Sequence, residues 1–191
     1  MKPLHFVPAL LAAALAAVAL PAVGQQKLLP AQSDIAFEIK QMGVPVLGHF
    51  KKFDAQVDFD AAKLATSKVT FTVDIGSATL GSLEMDHELP KATWFNAAQF
   101  PQARFTSSAF KALGGAKYEV AGKLAIKGQT RDVTVPLAMT QSGAVTTATG
   151  MLPIKRLAFK IGDGEWTDTS MVADDVQVRF KLALSGLPKM P

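Results

Sequence analysis

At 191 residues with a formal charge of +4 and no cysteine, the chain is long enough to bury a sizeable core and must do so without disulfide staples. The basic excess is thinly spread. Lys51-Lys52 and Lys155-Arg156 are the only adjacent basic pairs, too sparse a footprint for nucleic-acid binding. The absence of cysteine also excludes a lipoprotein anchor.

The first 24 residues read as a secretory signal peptide. Lys2 supplies a positive start, Leu10 to Leu20 is an unbroken apolar run, and Ala22-Val23-Gly24 places small residues at a cleavage site before Gln25. Pro21 ends the run too early for a comfortable membrane span, so an uncleaved anchor is the weaker alternative. The expected organisation is a signal peptide over 1–24 and one exported domain over 25–191. Lys2 is the only charged residue lost, which takes the formal charge from +4 to +3.

From Ser33 the pattern has period two. Ile35, Phe37 and Ile39 alternate with Asp34, Glu38 and Lys40, the signature of a half-buried strand. After the interruption at Met42-Gly43-Val44-Pro45, Phe53, Ala55, Val57 and Phe59 alternate with Asp54, Gln56, Asp58 and Asp60. Those acids are not a calcium loop, because Phe59 occupies the position that needs glycine. Val69, Phe71, Val73 and Ile75 repeat the alternation. So do Tyr118, Val120, Gly122, Leu124 and Ile126, then Val133, Val135, Leu137 and Met139. Val176, Val178, Phe180, Leu182 and Leu184 form a last strand. Leu113-Gly114-Gly115-Ala116 and Lys127-Gly128-Gln129-Thr130 are turns, the second short enough to predict a hairpin. Pro136 belongs near an edge or a bulge. No repeat or interdomain linker interrupts the series, so the chain is expected to be one antiparallel β domain, most economically a closed barrel without exposed edges.

One insertion breaks the alternation. Leu83 to Leu89 suits a short helix, and Trp94, Phe95 and Phe100 form an apolar cluster ahead of Pro101. Proline stops helices, so a helical lid around 83–98 is predicted, with Pro101 ending a helical turn that carries Trp94 and Phe95. A plug of plain core aromatics is the alternative. His87-Glu88 lacks the second histidine of a zinc-protease motif, since position 91 is lysine. Gly162-Asp163-Gly164 is a turn and not a phosphate loop, and no Gly-x-Ser-x-Gly elbow occurs. No cofactor or metal is expected.

Taken together, several stretches resemble the YceI-like family. They are Ser33-x-Ile35-x-Phe37-x-Ile39, Gly48-x-Phe50-x-x-Phe53, Phe95 through Pro101 to Phe105, Gly122-x-Leu124-x-Ile126-x-Gly128 and Phe159-x-Ile161-Gly162, with the closing alternating strand. The resemblance covers roughly Lys27 to Leu184. It implies an eight-stranded, lipocalin-like antiparallel barrel in the periplasm, with an apolar tunnel holding a polyisoprenoid or related lipid, and it leaves a homodimer open. Two positions depart from the family's common residues: Gln41 stands where histidine is frequent, and Ala125 where threonine is.

On this reading the chain is a non-enzymatic lipid-binding or carrier protein whose partner is a long apolar lipid: a polyisoprenoid, an isoprenoid quinone or a fatty acyl chain. Phe37, Ile39, Phe71, Val73, Trp94, Phe95, Phe105, Leu124 and Phe180 are the candidates for the tunnel wall. Lys155 and Arg156 are candidates for a polar or anionic head, set against an exposed structural pair. Two other classes stay open: a structural or stress-related module whose barrel is filled solid, and a hydrolase using His49 or His87 beside a carboxylate.

Overall fold

The alternation seen from Ser33 becomes a strand whose inner face carries Ile35, Phe37 and Ile39 and whose outer face carries Asp34, Glu38 and Lys40. The computed structural model describes residues 25–190, so the signal-peptide segment lies outside the described residues. Among those described, β1 (Lys27–Leu28), β2 (Asp34–Gln41), β3 (Val44–Phe50), β4 (Phe53–Asp58), β5 (Lys68–Asp74) and β6 (Ala78–Thr79) come first. A helix α1 (Leu83–Glu88) follows. Then come the long strands β7 (Gln102–Gly114), β8 (Lys117–Ile126), β9 (Gln129–Ser142), β10 (Val145–Lys155) and β11 (Val172–Ser185).

All of the strands join one curled antiparallel sheet in the order β4-β5-β7-β8-β9-β10-β11-β2-β3-β6, with β1 added along β11. The count is eleven strands, not the eight expected from pattern and resemblance. β1 and β6 are two-residue strands, too short to alternate visibly. β3 and β4 are one extended path split at Lys51-Lys52, pairing with β2 before the split and with β5 after it. No ladder joins β3 to β4, so the sheet's two ends meet through this two-residue link and not through hydrogen-bonded closure. At the seam, Gln26 bridges to the Phe59 backbone, its Nε2 donating to Phe59 O (2.9 Å) and its Oε1 accepting from Phe59 N (2.8 Å).

Bulges and glycines produce the curl. β7 gains an extra residue between Ser107 and Ala109, and β11 shifts register between Val172 and Val176. Lys127 and Gly128 both take positive φ (46° and 72°), the backbone of a tight hairpin turn between β8 and β9. Pro136 sits one residue beyond the last β9–β10 pair, Leu137 with Gly150, so its missing N–H leaves no gap in that ladder.

The lid differs from its prediction. The helix ends at Glu88, and Trp94 and Phe95 lie in successive tight turns between Leu89 and Phe100. Pro90, with no N–H to continue the helical ladder, stops the helix eleven residues before Pro101. Phe95 N donates to Leu89 O (3.0 Å) and Ala97 N to Pro90 O (3.0 Å), winding the segment into a compact knot. Among the described residues no helix is long and apolar enough to cross a membrane.

Candidate functional site

Inward alternation delivers two separate packed clusters. At the lid end, Ile75, Leu89, Phe95, Ala103, Ile126, Phe159 and Ile161 pack together. At the opposite end, Leu28, Phe59, Tyr118, Met139, Ala148, Leu184 and Leu187 do so. Between them the sheet encloses a cavity of about 350 Å³, with wall residues drawn from both clusters and from Ile35, Val120 and Val135, which belong to neither. Voids of this size are rare in packed interiors and fall in the range of ligand pockets.

Phe37, Ile39, Phe71, Val73, Trp94, Phe95, Phe105, Leu124 and Phe180 all lie on the cavity wall. The wall is apolar apart from two residues, Gln41 at the end of β2 and Glu88 at the end of α1. Glycines on neighbouring strands give the aromatic rings room. A β-carbon at Gly48 would come within 2.3 Å of Phe37 Cζ, one at Gly122 within 2.6 Å of Phe105, and one at Gly150 within 2.4 Å of Phe180 Cζ. Each ring therefore rests against bare backbone at the wall.

The lid end is bolted down by polar contacts. Lys127, whose side chain is 7% exposed, donates from Nζ to Thr93 O, to Lys160 O and to Asp163 Oδ2. Gly162 N and Asp163 N both donate to Thr93 O (2.9 and 2.8 Å). The indole rings of Trp94 and Trp166 meet at 5.3 Å between centroids, and both face the cavity. Asp86 pins α1 to the adjacent chain, accepting from the Thr79 hydroxyl and from Leu80 N, each at 2.6 Å. These bonds hold its carboxyl pKa below the ordinary value.

The head-group candidates are displaced. Arg156 is 1% exposed, and all five of its N–H donors go to backbone carbonyls: Nε to Ala173, Nη1 to Ile161 and Gly162, Nη2 to Trp166 and Val172. It organises the 156–172 loop and offers nothing to a ligand. Burial lowers its pKa, with Asp174 and Asp163 acting in the opposite direction. Lys155 points to the outer face and pairs with Asp175 at 2.7 Å, which raises the ammonium's pKa. Of the two candidate histidines, neither lines the cavity. His49 lies across from Ala36 on the outer face, 3.1 Å from Asp34 Oδ1, and His87 is exposed on α1. Among the described residues no group of three or more His, Asp or Glu side chains is placed to hold a metal.

The pattern alone did not mark Phe110, Trp166, Gln41 or Glu88 as wall residues. Phe105 and Phe110 are five residues apart, an odd spacing that puts them on opposite faces of a regular strand. The bulge at Ser107/Ala109 brings both inward. Trp166 sits in a 3₁₀ turn with no alternation to betray it.

The YceI-like domain family matches residues 27–184, nearly every described strand. This chain belongs to that family. Solved structures similar to this chain include BcnA of Burkholderia cenocepacia, 49% identical with a TM-score of 0.79, covering 82% of this chain and 98% of that one. A second is a polyisoprenoid binding domain from Saccharophagus degradans, implicated in plant cell wall breakdown. At 15% identity and a TM-score of 0.68, covering 84% of this chain and 98% of that one, it shows the shared fold. Among curated relatives, a UPF0312 protein of Photorhabdus laumondii is 33% identical over 66% of this chain and 70% of its own length. A UPF0312 protein of Shewanella denitrificans is 32% identical over 55% of this chain, and the match spans only 56% of that relative.

Proposed function

We propose that this domain is a periplasmic binding or carrier protein that holds a long isoprenoid or quinone-like lipid in the cavity without chemistry. The observation that carries the reading is the apolar void of about 350 Å³ between two packed clusters. Filling it with a prenyl or acyl chain removes apolar surface from water at about 25 cal/mol per Å², a gain that grows with each isoprene unit against the ordering cost of the chain. Family membership supports the reading, as does the likeness in fold to a polyisoprenoid binding domain. The void weighs against a filled-core module. The outward or exposed placement of His49 and His87 weighs against a hydrolase.

Export rests on the signal-peptide reading of residues 1–24, and a mature chain starting at Gln25 in the periplasm is its test by intact mass. For the ligand, the protein purified from its native host is extracted into organic solvent and the extract analysed by mass spectrometry. A stoichiometric prenyl lipid or quinone supports the proposal. An empty extract, with no binding on reconstitution with prenyl lipids, quinones or fatty acyl chains, overturns it.

A further inference from the structure

The cavity reaches the surface beside α1. Glu88 is the only exposed residue of its wall among the described residues, and its carboxylate is paired with Lys91, itself exposed. The opposite end is stoppered by Leu28, Phe59, Tyr118, Met139 and Leu184, all buried. Across the opening from α1 lies β3. β6 runs antiparallel to β3, with Thr79 beside His49, so the chain leaving β6 heads back along β3 towards the β2–β3 tip before it enters α1. Leu80 and Met85 from this return share the wall with Val46 from β3.

Four of the seven large apolar side chains left exposed among the described residues stand on this rim: Met42 (65%), Val44 (64%), Leu83 (83%) and Met171 (42%). Val44 has the inward parity of Val46 and pairs with Gln41, which pairs in turn with Val172, and Gln41 and Val172 are both wall residues. Met42, on the turn at the tip, donates from its backbone N to Met171 O (2.8 Å). Leu83 opens α1 two residues before Met85. The segments 41–47 and 169–173 contain no charged residue. The charges next to them in the chain, and next to Leu83, are Lys40 against three carboxylates, Glu84, Asp168 and Asp174.

We infer that the β2–β3 tip, Met171 and the start of α1 form a docking rim that seats the mouth of the cavity on a zwitterionic bilayer surface, where the lipid enters and leaves. Uncharged apolar side chains at the mouth of an apolar cavity let a tail pass from bilayer to wall without crossing water, which would cost about 25 cal/mol for each Å² of tail exposed. Four side chains fall well short of a stable protein interface, roughly 800 Å² and 20–30 residues a side. They suit the shallow, reversible insertion of a surface anchor. The three flanking carboxylates give anionic lipid no advantage at the rim. The inference rests on the lipid-binding reading above and adds the surface at which lipid is exchanged.

Flotation with phosphatidylcholine vesicles and transfer of a pyrene-labelled prenol between donor and acceptor vesicles test it on the full mature protein. The variant is Met42→Asp with Leu83→Asp. Met42 has a positive φ (48°), which aspartate tolerates, and Leu83 is the first helical residue, where aspartate is favoured. Wild-type protein should float and speed transfer. The double variant should float at least about 10-fold less and transfer correspondingly slower, while taking up as much prenol as wild type when reconstituted from detergent. Leu113→Asp, at the exposed β7–β8 turn away from the rim, should change neither readout. A double variant that floats like wild type, or equal loss in Leu113→Asp, overturns the rim. So does flotation that requires added phosphatidylglycerol. Wild-type protein that stays off the vesicles also overturns it, and a dimer that the double variant dissociates would assign the rim to a second copy. Failure of the lipid-binding reading shows separately, as no prenol uptake from detergent by any form.

Discussion

The ring of Phe37 rests on Gly48 of the neighbouring strand, where a β-carbon would sit 2.3 Å from Cζ and 2.7 Å from both Cε atoms. The glycine lets the ring lie back against the wall, and the lumen stays open. At Gly48 the obstacle is the free end of a side chain. At Gly150 a β-carbon meets the Phe180 ring at 2.4 Å and also the Pro136 carbonyl at 2.5 Å, which is fixed backbone. Gly48→Ala should therefore swing the Phe37 ring into the cavity, costing about 1–3 kcal/mol and reducing lipid retention. Gly150→Ala should cost more than Gly48→Ala, since no ring movement relieves the carbonyl contact. Urea unfolding paired with lipid extraction reads both quantities. Full retention in Gly48→Ala would contradict this account of the wall.

Bulk added inside distinguishes hollow from solid. Val73 lies on the cavity wall, paired with Phe53 on one side and Ala103 on the other. Val73→Phe should fold with little loss of stability and retain less lipid, because the ring takes ligand space. In a filled core the same change overpacks and costs about 1–3 kcal/mol. Trp94→Ala is the converse. The ring is half-buried against Trp166 and faces the cavity, so its loss should cost about 1–3 kcal/mol, below the roughly 3–5 kcal/mol of a fully packed tryptophan. Its larger effect should be faster ligand release, measured by exchange of a fluorescent lipid.

Arg156 holds five carbonyls with five donors, a match no other side chain can make. Lysine offers three donors from one point, so Arg156→Lys strands at least two carbonyls in the interior. The expected loss is about 3 kcal/mol or more in urea unfolding. Hydrogen exchange across residues 160–172 should quicken more than exchange in β7 or β8. Uniform destabilisation with no local loosening would show that the loop does not depend on this residue.

Acid should loosen α1. The bonds from Thr79 and Leu80 favour the charged form of Asp86, so its folded pKa lies below the ordinary 3.8. A depressed carboxyl contributes stability that is complete above the ordinary value and disappears as the pH falls below it through the folded value. The protection of residues 79–88 against hydrogen exchange, relative to the intrinsic rate at each pH, should therefore fall on acidification below pH 3.8, ahead of the β7–β9 strands. Asp86→Ala should show the reduced protection at every pH, and a wild-type profile identical to that of the mutant would remove Asp86 as the pin.

Period-two alternation by itself determined the class of the fold and the facing of its long strands. Ile35, Phe37, Phe71, Val120, Leu124 and Phe180 point inward as written, because a one-residue slip would expose every apolar side chain of a strand at once. The order of motifs from Ser33 to Ile161 was enough to suggest the family. Strand number and closure were beyond it: β1 and β6 are shorter than one period, and the split of β3 from β4 depends on which neighbour each half pairs with. The helix boundary turned on the choice between Pro90 and Pro101, two prolines with the same local chemistry. Only the tertiary structure decided that the interior is hollow, since inward apolar residues serve a packed core and a cavity wall equally well. It also decided that Arg156 is buried scaffold while Gln41 and Glu88 meet the cavity. Burial and facing outside regular strands are set by which distant backbone carbonyls converge, and no local spacing records that convergence.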